Sequence, residues 1–121
     1  MKEELEKKFY DEFPGWFANC WGFECSDGWF DLLWNMCVEL RKLGFDTGFA
    51  QIKEKFGTLR AYANGATDEQ WKVIEKAELD SETICEECGA VGKLRNRGGW
   101  VYLRCDKCWS ELLERYEKSE R

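Results

Sequence analysis

An α+β fold is what this 121-residue chain predicts, on three observations. Apolar residues recur every three or four positions in four separate stretches, the period of amphipathic helices. Between the second and third of these, the segment FAQIKEKFGTLRAYA alternates apolar and polar residues, as a β-hairpin does. Near the end, Cys85–Cys88 and Cys105–Cys108 form two CxxC pairs with sixteen residues between them. Four thiolates so spaced suit a closed tetrahedral Zn²⁺ site, the pattern of a zinc ribbon. The expected architecture is helices packed on a small antiparallel β-hairpin sheet, with a C-terminal zinc-ribbon lobe. It is expected as a single domain over 1–121. The helical and hairpin part takes 1–83, the ribbon 84–110, and a C-terminal helix 106–118.

The first helix is expected from Lys2 to Phe13, with Leu5, Phe9 and Phe13 four residues apart and Pro14-Gly15 as the stop. The next segment, GWFANCWGFECS, is irregular and aromatic; its Trp16, Phe17, Trp21 and Phe23 are either core plugs or pocket walls. A second helix is expected over Asp27–Leu43, burying Trp29, Leu33, Met36, Cys37 and Leu40, and ending at Gly44. In the hairpin, Ala50, Ile52 and Phe56 are expected on one face and Gln51, Lys53 and Lys55 on the other. A two-residue type II′ turn at Gly57-Thr58 would place Lys55 opposite Arg60, Lys53 opposite Tyr62 and Gln51 opposite Asn64. On the other face it would set Phe56 against Leu59 and Glu54 against Ala61. Thr67-Asp68-Glu69-Gln70 is a capping box, opening a helix to about Ser81 that buries Trp71, Ile74 and Ala77. The ribbon hairpin is expected to turn at Gly98-Gly99. The last helix starts near Asp106, carries Trp109, Leu112, Leu113 and Tyr116 on one face, and frays into a charged tail.

The chain is 44% hydrophobic and 16% aromatic, enough to build a core, and no apolar run is long enough to cross a bilayer. The N-terminus is charged from Lys2 onward and does not read as a signal peptide. A cytoplasmic location is therefore expected, where paired thiols bind metal rather than form disulfides. One structural Zn²⁺ is expected, held by Cys85, Cys88, Cys105 and Cys108, with no open coordination position for catalysis. Cys20 and Cys25 are close in sequence, but the chain has no histidine and no fourth ligand presents itself, so buried thiols are the default.

The formal charge is −6, and a Cys₄ zinc site would lower it by two more. An acidic body of this kind does not coat nucleic acid through phosphate neutralisation. Two local segments nevertheless run positive, Gln51–Tyr62 and Cys85–Trp109, each +2. The first gathers Gln51, Lys53, Lys55, Arg60 and Tyr62 on one hairpin face. Like charges opposed on a sheet are unfavourable. The face is either an anion site or a solvated surface balanced by nearby carboxylates. The second gathers Lys93, Arg95, Arg97, Trp100 and Tyr102, beside Arg104. Such a face either stacks and neutralises a single-stranded nucleic acid or packs on a neighbouring helix. Catalysis finds little support. A Ser-His or Cys-His pair is impossible without histidine, and no Walker loop or dinucleotide fingerprint appears. An enzyme would have to use a carboxylate site that nothing in the pattern singles out.

The blocks CSDGWFDLL, QIKEKFGTLRAY, TDEQWKVIEKAE and CEECG…LRNRGGW…CDKCW, in that order from Cys25 to Trp109, resemble a family of small bacteriophage and prophage proteins. The KEKFG-x-LR block (Lys53 to Phe56, Gly57, Leu59, Arg60) carries most of the likeness. The family's second cysteine pair is less regular, whereas this chain has both. The resemblance implies a host-directed binding protein in the host cytoplasm, such as an inhibitor of a defence system. Joined to the cationic hairpin, it gives the expected function: stoichiometric contact with a host protein or an anionic ligand such as a signalling nucleotide. Single-stranded nucleic-acid binding by the ribbon is the alternative.

Overall fold

The computed structural model describes residues 1–119; the end of the charged tail, 120–121, lies outside the described residues. Helix α1 (Glu3–Glu12) leads through the aromatic segment to a short strand, β1 (Phe23–Glu24). One 3₁₀ turn, Asp27–Trp29, opens α2 (Phe30–Lys42). The hairpin β2 (Phe49–Lys55) and β3 (Thr58–Ala63) follows, then α3 (Asp68–Asp80) and a second 3₁₀ turn, Ser81–Thr83. A second hairpin, β4 (Lys93–Arg97) and β5 (Trp100–Arg104), precedes α4 (Asp106–Ser119). The chain is thus α+β, with small sheets and a cysteine cluster towards the C-terminus.

One apolar cluster joins α1, α2, α3 and the first sheet, and reaches Leu103 on β5. Aromatic rings dominate it. Phe9 lies 4.5 Å from Phe23 and 5.2 Å from Trp34, and Phe17 stacks on Phe49 at 5.6 Å. The aromatic segment is therefore largely a core plug. Phe17 and Phe23 are buried and Trp16 packs on Phe13 and Phe45, while Trp21 is 90% exposed. Cys37 is buried on α2 as expected. The Thr67–Gln70 capping box forms in full, and the buried Gln70 amide also donates to the Leu43 carbonyl at 3.0 Å. Ile74 and Ala77 are buried as expected, whereas Trp71 is half-buried.

The first hairpin departs from the expected register. Its turn residues are Phe56 and Gly57, at φ 54° and 81°, rather than Gly57 and Thr58. Two consecutive positive φ values define a type I′ turn, whose twist matches that of the flanking strands. Lys55 consequently opposes Thr58, Lys53 opposes Arg60, and Gln51 opposes Tyr62. On the inner face Glu54 opposes Leu59 and Ile52 opposes Ala61. Phe56 leaves the inner face for the turn, and Ala50 is exposed beside an irregularity between Phe49 and Gln51. Each partner has slipped by two residues, so every ladder side chain keeps its face. A second difference is that β1 adds parallel to β2, pairing Phe23 with Ile52 and Glu24 with Lys53.

Strand β3 is an edge of this three-stranded sheet, with order β1-β2-β3. An open edge exposes N–H groups that need partners. Here α3 and the turn after it supply them: Leu59 N–H donates to Ser81 Oγ at 2.9 Å and Ala61 N–H to Glu78 Oε2 at 3.1 Å. Ser81 is fully buried. Ser81→Ala would strand the Leu59 N–H, so chemical denaturation should report a loss of about 1–3 kcal/mol. A loss below a few tenths would mean that the edge finds another partner.

Candidate functional site

Two tight turns bring the four C-terminal cysteines together. In the first, Cys85 N–H donates to the Ala90 carbonyl at 2.7 Å and Gly89 N–H to the Cys85 carbonyl at 2.9 Å, with Gly89 at φ 82°. In the second, Cys105 stands just before α4, and Cys108 N–H donates to Cys105 Sγ at 3.4 Å. All four sulfurs lie within 4.8 Å of one another, and Cys88 Sγ is 3.6 Å from Cys105 Sγ. Ligands about 2.3 Å from a tetrahedral ion stand roughly 3.8 Å apart. The donor set and its spacing therefore fit a thiolate-bound metal ion. The hydrogen bond from the Cys108 N–H, above all, draws the Cys105 thiol down to about 7, whereas burial raises Cys108 and Cys88 is raised as well. The metal-free cluster thus favours one thiolate, and a metal would have to displace the other protons.

The cysteine lobe is fastened to the body through the first 3₁₀ turn. Gly28 N–H donates to the Glu86 carbonyl at 2.7 Å, Ser26 N–H to Glu86 Oε2 at 2.9 Å, and Trp29 Nε1–H to the Ile84 carbonyl at 2.9 Å. A Cβ at Gly28 would stand 2.3 Å from the Cys85 carbonyl oxygen, which explains the residue there. Arg104 lies buried beside Glu86, 3.4 Å away, and reaches Glu87 at 3.6 Å. Burial, first of all, raises the Glu86 carboxyl above its ordinary range; the Ser26 N–H and Arg104 oppose that.

Cys20 and Cys25 take no part in this cluster, which is the only group of three or more potential metal ligands among the described residues. Burial pushes the Cys25 thiol up to about 12 and also raises Cys20. Both are held as neutral thiols.

The outer face of the first sheet brings together all five expected residues. Gln51 stands opposite Tyr62 and Lys53 opposite Arg60, with Lys55 at the end of β2. Among the described residues, none of Lys53, Lys55 and Arg60 has a carboxylate at ion-pair distance. Glu24 is the nearest acidic neighbour in the ladder, paired with Lys53 along β1, but its carboxylate accepts from Gln51 Nε2 at 3.2 Å. The pairing that carries the like-charge opposition is Lys53–Arg60 and not Lys55–Arg60.

The second hairpin turns at Gly98-Gly99 as expected and pairs Arg95 with Tyr102 and Arg97 with Trp100. Its basic and aromatic face is mostly taken up by α4. Arg95 Nη2–H donates to Asp106 at 2.6 Å, the Tyr102 and Tyr116 hydroxyls meet at 2.6 Å, and Arg97 sits 4.0 Å over the Tyr116 ring. Tyr102 also packs against Trp109 at 5.8 Å. Lys93 and Trp100 remain exposed.

Sequence patterns did not single out Phe56. A bulky aromatic is disfavoured at positive φ, so nothing local marked Phe56 as a turn residue.

Fold and site together define an α+β protein with four clustered cysteines that could hold a metal ion. No family model, curated protein or solved structure matches the chain. No helix among the described residues is long and apolar enough to cross a membrane.

Proposed function

We propose that this is a small zinc-containing binding protein that acts by stoichiometric contact rather than turnover. The metal is one structural Zn²⁺ in a ribbon-like lobe. Four sulfur ligands favour it, and they leave no position for substrate. The contact surface is the outer sheet face of Gln51, Lys53, Lys55, Arg60 and Tyr62. It takes an anionic ligand, a phosphorylated small molecule such as a signalling nucleotide or an acidic patch of a host protein.

The observation that carries this reading is Lys53 facing Arg60 across the ladder with no carboxylate among the described residues paired to either. Cross-strand repulsion is relieved when an anion sits between the two side chains. The single-stranded nucleic-acid alternative has less support, because α4 engages Arg95, Arg97 and Tyr102.

Titration calorimetry with inorganic tripolyphosphate tests the surface. One anion should bind per chain. Lys53→Glu with Arg60→Glu should weaken binding tenfold or more, since charge-assisted hydrogen bonds contribute about 1.5–3 kcal/mol each. Zinc content by native mass spectrometry should not change. Equal binding by the folded double variant and the parent would sink the reading.

A further inference from the structure

Beyond the sheet face lies a cleft of about 530 Å³ between the two hairpin turns, lined by Glu54, Lys55, Phe56, Gly98, Gly99, Trp100 and Val101. That is the size of a small-molecule site. Each turn presents one large ring to solvent, Phe56 at 70% exposure and Trp100 at 75%. Among the described residues, neither ring packs on the other or on any other ring.

Phe56 is the only non-glycine described residue with positive φ, at 54°. The first position of a type I′ turn favours Asn, Asp or Gly, and a bulky residue there is strained. Burial does not offset the strain, because the ring is out in solvent. A strained, exposed aromatic points to a role outside folding.

The cleft is also held in shape. A Cβ at Gly57 would stand 2.6 Å from Leu94 Cδ1, so the first turn lies directly against the second hairpin. The Glu54 carboxylate is drawn aside, accepting the Gly57 N–H at 2.6 Å. The lining therefore carries one carboxylate, held against the turn backbone, and one cation, Lys55, whose Nζ lies over the Phe56 ring, 5.6 Å from its centre. Lys55 also belongs to the cationic sheet face, which makes cleft and face continuous.

We infer that the cleft receives the base of a nucleoside polyphosphate, stacked on Phe56 and Trp100, while its phosphates lie on Lys55 and the Lys53–Arg60 pair. This rests on the anion-binding reading of the sheet face and names the ligand class. Aromatic rings stack on bases through a π-face; Lys55 Nζ lies over one face of Phe56, so the base takes the other while Lys55 meets the phosphate.

The test compares adenosine and guanosine triphosphates with inorganic tripolyphosphate on the zinc-loaded protein by calorimetry. A nucleotide should bind at least about tenfold more tightly than tripolyphosphate, the scale of one base–aromatic stack. Phe56→Asn should remove about tenfold of the nucleotide affinity and leave tripolyphosphate unchanged. It should also keep or raise the melting temperature, because asparagine suits the turn. Trp100→Ala, at an exposed site, should give the same selective loss. Equal binding of nucleotides and tripolyphosphate would overturn the cleft and leave the cationic face standing. Nucleotide affinity unchanged in both variants, or no nucleotide binding at all, would also overturn it. Loss of tripolyphosphate binding belongs to the double variant of the sheet face, so the two failures are separable.

Discussion

Cys85→Ser should abolish binding of the proposed Zn²⁺ and unfold the C-terminal lobe. Cys85 is fully buried, and its N–H and carbonyl shape the turn that carries Cys88. A hydroxyl does not replace a thiolate as a zinc ligand, and three sulfurs hold the ion far less well than four. Binding free energy at such a site is folding free energy, about 10–16 kcal/mol for isolated zinc modules. That rivals the roughly 5–15 kcal/mol of a whole domain's stability. The loss should therefore appear as absent zinc in elemental analysis and as a large fall in melting temperature. Cys20→Ser supplies the contrast, since Cys20 lies outside the cluster and should leave zinc content unchanged. Full zinc occupancy in Cys85→Ser would remove the metal assignment.

Trp29→Ala should be the most damaging substitution in the aromatic core. Trp29 is 0% exposed, and its indole N–H holds the Ile84 carbonyl, one residue before Cys85. Truncating a buried Trp typically costs about 3–5 kcal/mol. Leaving the Ile84 carbonyl without its donor adds about 1–3 kcal/mol where that group stays out of water. Trp29→Phe retains most of the apolar volume and loses only the hydrogen bond, so it should cost about 1–3 kcal/mol. Urea denaturation measures both. The placement of Trp29 makes a further demand: Trp29→Ala should release zinc to a chelator faster than the parent. A stability loss confined to the body, with zinc release unchanged, would mean that lobe and body are not coupled through this residue.

The helices were legible because their signals are local. The Thr67–Gln70 box needs only four residues to satisfy the first turn of α3, and it forms as written. The period of Trp109, Leu112, Leu113 and Tyr116 likewise marks the half-buried face of α4. The cysteine spacing was equally plain, since two short turns suffice to aim four sulfurs inward. Hairpin register was harder. Gly57 could stand first or second in a two-residue turn, and the choice shifted every partner on β3. The outward set survived because strand side chains alternate with period two, so a two-residue slip preserves the face.

What the sequence by itself determined, then, is the inventory: four helices, two hairpins, a four-cysteine cluster and a set of cations sharing one sheet face. Each depends on contacts within a few residues, where periodicity and turn chemistry suffice. Tertiary structure decided which cations stay available and which are used up. Arg95 and Arg97 looked as available as Lys53 and Arg60 until α4 folded across the second hairpin. Tertiary structure also added β1 to the sheet, covered the edge of β3 with Ser81 and Glu78, and set the two turns around one cleft. These contacts join residues far apart in the chain. Their partners are selected by packing and by the need to satisfy buried polar groups, and neither leaves a periodic mark in the sequence.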